Sequence, residues 1–171
     1  MKIRRTRGLR ADERGAAMVE FALVVPLLLV LLVGIFEVAH AWQNYQVLTD
    51  AAREGARRAV IRDGADKVGT AQAPGTVPAV VLDRFARARL RVDGAWNPAN
   101  YADDCAGWVA PQGTVTQPTI YGCGWGRQTG DEARVVLRSP YPFALLSGLA
   151  NRIGAGVGAT TLTTDYVMRN E

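Results

Sequence analysis

From Ala16 to Phe36 the chain runs through twenty-one residues of which only Glu20 is charged. No polar periodicity interrupts the run, so it predicts a helix that is apolar all round rather than on one stripe. At 1.5 Å per residue such a helix measures about 31 Å, enough to cross the hydrocarbon core of a bilayer. Pro26 lies inside it, where the lost backbone donor kinks a membrane helix without ending it. Glu20 is the anomaly. A carboxylate at hydrocarbon depth is costly and points to a function that needs it.

After Phe36 the pattern changes character but not period. Val38, Ala41, Tyr45, Leu48, Ala52, Ala56 and Ala59 recur at spacings of three and four, with Gln43, Asn44, Gln46, Asp50, Arg53, Glu54 and Arg57 mostly on other faces. Trp42 and Tyr45 follow the apolar run closely, where amphipathic rings suit the headgroup layer. Asp63-Gly64 supplies a stop. The reading is one helix of about 47 residues, roughly 70 Å long, embedded in its first half and amphipathic in its second. The outer half needs something to lie against. Ala51, Ala52, Gly55, Ala56 and Ala59 offer a small-residue face that permits close helix approach.

Residues 64–78 are rich in Gly, Pro and Ala and read as a loop. Residues 78–92 place Val80, Val81, Phe85 and Leu90 among arginines and predict a short amphipathic helix. From 93 to 130 the chain is irregular. Strand patterning appears at 133–139 and again at 158–169, the second supported by Thr and Val alternation. Between them, residues 140–154 are apolar but too short to span a membrane, and read as a core or interfacial turn of helix. The fold class is therefore α+β: a long N-terminal helix and a small C-terminal domain containing an antiparallel sheet.

Charge sharpens the membrane reading. The net charge is +4, and residues 1–15 already supply it, with six basic side chains against Asp12 and Glu13. The remaining residues hold fourteen basic and fourteen acidic groups, which cancel. A basic segment directly before an apolar run places the N-terminus in the cytoplasm and the C-terminal domain on the far, oxidising side of the membrane. The same localisation of charge argues against nucleic acid as a partner. Cys105 and Cys123 then lie on the oxidising side, where a disulfide is the economical reading and buried reduced thiols the alternative. Zinc is disfavoured because the one histidine, His40, is far away in the chain.

Candidate chemistry is sparse. His40 has no nucleophile beside it in a recognisable motif, and Asp103-Asp104 lacks the oxygen-rich spacing of a calcium loop. Phosphate-binding loops and nucleophile elbows are missing from the text. Arg84, Arg87, Arg89 and Arg91 read as the solvated face of the second helix, with anionic lipid as a further contact. The chain is read as a non-enzyme, with no catalytic residues, no metal, no cofactor and no small-molecule substrate.

The N-terminal motif carries a resemblance. A basic leader, Gly15, small residues, Glu20, Phe21 and an unbroken apolar run resemble the class III signal of type IVb pilins and pseudopilins. The resemblance implies cleavage by a prepilin peptidase between Gly15 and Ala16. It makes Glu20 the fifth residue of the mature chain, paired with the new α-amino group of a neighbouring subunit. Phe21 stands where many Flp-type pilins have tyrosine. Residues 14–62 as a whole resemble the TadE-like family of the tight-adherence (Tad) pilus machinery, residues 133–171 resemble it more weakly, and 64–132 do not. The implied organisation is a cytoplasmic leader at 1–15, a transmembrane helix at 16–36, its amphipathic extension at 37–63 and a pilin-like periplasmic or extracellular α+β domain at 64–171. The implied role is a minor pilin acting in assembly or priming of the Flp pilus. Its partners would be the inner membrane, the prepilin peptidase, other TadE-, TadF- or TadG-like minor pilins and the Flp pilin. Two rivals stand beside it. One is an uncut signal-anchor protein. The other is a secreted domain released after Ala41 of the small-x-small triplet Ala39-His40-Ala41.

Overall fold

A computed structural model describes residues 9–63, 66–90, 94–127, 129–152, 154 and 158–170. Most of the leader (1–8), Gly64 of the anticipated helix stop and Arg91 lie outside the described residues.

The described residues open with one helix, α1 (Leu9–Val60), of 52 residues, which continues through Pro26. It is followed by α2 (Val77–Arg87), a 3₁₀ turn at Pro98–Asn100, β1 (Tyr101–Ala102), β2 (Thr119–Cys123), β3 (Glu132–Tyr141), α3 (Ala144–Arg152) and β4 (Thr160–Arg169). The strands form one sheet in the order β1-β2-β3-β4. β3 pairs antiparallel with β4 along its whole length, from Glu132↔Arg169 to Tyr141↔Thr160, and antiparallel with β2 on its other side. Among the described residues, only the two-residue β1 is parallel, which makes the sheet mixed at that edge.

The two strands anticipated from strand patterning are β3 and β4. β2 falls in the stretch read as irregular. Its Thr119-Ile120-Tyr121 run has strand character, but it is brief and ends in Gly122-Cys123. The glycine has a tertiary reason. A Cβ at Gly122 would come within 1.9 Å of the Trp125 ring, so only glycine lets that indole fold back over the strand and donate to the Arg134 carbonyl at 2.9 Å.

The outer half of α1 belongs to the folded unit. Leu48, Ala51, Ala52, Ala56 and Ala59 are buried against Val77, Val81 and Phe85 of α2 and against Ile120, Trp125, Ala133, Val135 and Leu137 of the sheet side. The small-residue face is thus used inside the chain. Gly55 shows how tight the fit is, since a Cβ there would sit 2.7 Å from Val81 Cγ2. α1 ends at Val60, before Asp63, where the Gly126 amide takes the Ala59 carbonyl at 2.8 Å. Thr76 caps α2 by accepting from the Ala79 amide at 3.2 Å.

The opposite face of the sheet is also covered. Ala110 and Trp108 from the 103–118 loop pack on Tyr121 and Val136. Arg138 pins that loop: it is buried, and its guanidinium donates to the carbonyls of Pro111 (2.6 Å) and Gly113. Cys105 and Cys123 are joined by a disulfide, with Cα atoms 5.2 Å apart, which ties the start of the loop to the end of β2.

Candidate functional site

The first half of α1 is bare. Among the described residues, none in its most apolar window is buried inside the chain; Phe21 is 70% and Leu27 73% exposed. Its most apolar window has a mean hydropathy of 2.8, and α1 is long and apolar enough to cross a membrane. A continuous apolar surface of this size has to be covered by lipid or by other helices.

Gly15, Ala16, Glu20 and Phe21 all sit on this bare segment, in helical conformation. Gly15 has open space around the position of a Cβ, so packing inside the chain does not account for it. Ala16 and Glu20 are four residues apart and therefore share a helix face. Phe21 lies on a neighbouring face, exposed. None of the four touches the folded domain; they are brought together only by the helix itself.

The residue that connects bare helix to folded domain is Glu37, and hydrophobic patterning does not reveal it. Glu37 is the first residue after the apolar run and is only 3% exposed. Its carboxylate accepts the Leu145 amide at 2.8 Å and the Leu146 amide at 3.4 Å, so it sits on the N-terminus of α3, where the helix dipole favours an anion. The Tyr141 hydroxyl donates to the Glu37 carbonyl oxygen at 3.1 Å and reaches Oε2 at 3.4 Å. Burial pushes the Tyr141 phenol up from its ordinary value, and the Glu37 charge and hydrogen bond push it further the same way. His40 meets the Tyr141 ring edge-on, with centroids 6.1 Å apart.

The buried stripe of α1 is accordingly different at its two ends. From Leu48 onward it follows the anticipated apolar positions. Toward the apolar run it passes through Asn44, Ala41 and Glu37, while Val38 and Tyr45 are exposed. Glu37 faces inward because β3 and α3 present hydrogen-bond donors to it. Beside Glu37 opens a cleft of about 790 Å³ between α1, the end of α2 and the β3–β4 side, with His40, Asn44, Arg89 and Leu162 in its walls. Among the described residues, no group of three or more His, Cys, Asp or Glu could hold a metal ion.

The stretch from the bare helix to the domain core is what comparison with known proteins picks out. Residues 15–57 match the TadE-like protein family model. The TadE-like segment starts at Gly15, takes in Glu20, Phe21 and Glu37, and ends just short of the C-terminus of α1; α2 and the sheet lie beyond it. No curated protein and no solved structure matches the chain.

Proposed function

We propose that the chain is a minor pilin of a Tad-type pilus system, made with a cytoplasmic leader, cut after Gly15 and assembled through its bare N-terminal helix. The observation that carries this reading is the TadE-like match over a helix whose first half is unclothed and whose second half is built into the domain core. At the level of the family, the match supports a Tad-pilus-related minor pilin. The role is assembly rather than catalysis.

In this reading residues 16–36 pack in the inner membrane, and then among the helices of other pilin-like subunits, while the domain stands outside. Glu20 persists at hydrocarbon depth because the α-amino group freed at Ala16 of a neighbour neutralises it. Cys105–Cys123 holds the domain in the oxidising compartment. Release by a signal peptidase after Ala41 is disfavoured by the packing, because it would remove Glu37 and leave the α3 amides without their acceptor.

Intact mass of the protein purified from cells with an active prepilin peptidase tests the reading. An N-terminus at Ala16 is expected; Met1 would leave a signal anchor, and Trp42 would mean a secreted domain. Gly15→Val should accumulate as precursor. Glu20→Ala should insert normally but fail in pilus assembly, and undiminished piliation would remove the role given to that acid.

A further inference from the structure

We propose that α3 is a membrane-surface helix, and that the Pro142–Leu145 turn and the exposed side of α3 rest in the headgroup layer of the leaflet from which α1 emerges. The inference depends on α1 spanning the membrane; it concerns how the domain is seated, which that reading leaves open.

Two lengths fix the level of α3. The apolar run that ends at Phe36 is about 31 Å long and so fills the hydrocarbon core, which puts Glu37 at its outer boundary. The Leu145 amide lies 2.8 Å from the Glu37 carboxylate, so the start of α3 sits at that same boundary. At this level the domain presents apolar groups outward. Leu145 is 57% exposed, and Pro142 and Ala144 are exposed beside it. The other side of α3 is anchored, with Ala150 buried.

α1 carries matching groups. Val38, next to Glu37, is exposed, and Trp42 is 62% exposed about 7.5 Å further along the axis. Trp42 stands about 140° around the helix from Glu37. Lipid at the boundary is thus met by Trp42 on one side and by Leu145 on the other, with Arg152 in the last turn of α3 suited to lipid phosphate. The occupant is the phospholipid surface, because these exposed apolar groups lie beside the end of the bare helix, at the depth where the lipid headgroups begin.

The test uses the full chain with its disulfide intact, reconstituted in phosphatidylethanolamine–phosphatidylglycerol vesicles. Leu28→Cys, Leu145→Cys and Val167→Cys each carry an environment-sensitive fluorophore, read against lipids bearing a quencher near the headgroup or deep in the acyl chain. The expected result is loss of most emission to the deep quencher at Leu28, loss to the shallow quencher at Leu145, and no loss at Val167. A deep signal at Leu28 with Leu145 as unquenched as Val167 overturns the seating of α3 and leaves the span intact. No lipid quenching at Leu28 overturns the span, and this inference with it. A Leu145 label shielded from lipid and from aqueous iodide, with shielding that fades as protein is diluted in lipid, assigns the face to a second copy and also overturns the proposal.

Discussion

Replacing Glu37 by alanine should loosen α3 selectively. The substitution leaves the Leu145 amide without its acceptor in a partly buried setting, which costs about 1–3 kcal/mol. It also removes an anion from a helix N-terminus, worth about 0.3–1 kcal/mol. The 3.4 Å contacts to Leu146 and from Tyr141 are long and add little. The Tyr141 bond to the Glu37 backbone carbonyl survives any side-chain change. Against these losses, the variant no longer desolvates a carboxylate, so a net destabilisation of about 2 kcal/mol is expected. That corresponds to roughly thirtyfold faster amide exchange, at tenfold per 1.4 kcal/mol. Glu37→Gln keeps an acceptor oxygen and should lose about half as much, chiefly the charge. Hydrogen exchange followed by mass spectrometry on the full chain in detergent reads this directly. Peptides covering residues 142–150 should exchange faster, while those covering Val135 and Leu137 in β3 should hardly change. Unaltered protection of α3 in Glu37→Ala would refute the reasoning, and equal acceleration in β3 would show that the contact supports the whole domain.

Three further outcomes are expected. Gly55→Leu drives side-chain atoms into Val81 and should lower the urea midpoint by the equivalent of about 1–3 kcal/mol, whereas Gly34→Leu, with open space around it, should not. Reduction of Cys105–Cys123, or replacement of both by serine, should cost about 3 kcal/mol for a loop of this length, and thiol alkylation of unreduced protein should label neither cysteine. Tyr141 and Tyr101 both have phenols raised above 10.0, each mainly by burial and next by a carboxylate, Glu37 and Asp103 respectively. Above pH 10 the unfolded chain has released these protons and the native chain still holds them. Stability contributed by the shift is therefore complete below pH 10 and falls as pH rises past it. Tyr141→Phe should flatten that slope in alkaline urea titrations.

How much of this protein could be read from its letters differs along the chain. Residues 16–36 were legible because a bilayer-length apolar run is a statement about composition alone. So was the small-residue stripe from Leu48 to Ala59, since a helix repeats its faces whatever lies against them. β3 showed itself by its run of strand-forming residues, and β4 by Thr and Val alternation. β2 did not: its five residues are too few to show a period, and they are held by pairing with β3 and by Trp125 folding over Gly122. Glu37 is the instructive miss. A glutamate just past an apolar run looks like the first wet residue of the helix. It is buried instead because α3, more than a hundred residues later, brings amides to it.

The sequence by itself determined that a bilayer-length apolar helix stands near the start of the chain, that its beginning resembles a pilin signal, and that the helix continues as an amphipathic rod into an α+β domain. Those properties follow from local period and composition. Only the tertiary structure decided what the rod lies against, that its small residues serve its own domain, and that the domain is fastened to the helix just where the apolar run ends. Such contacts rest on the meeting of surfaces far apart in sequence, and no local pattern records which surface a polar side chain will find.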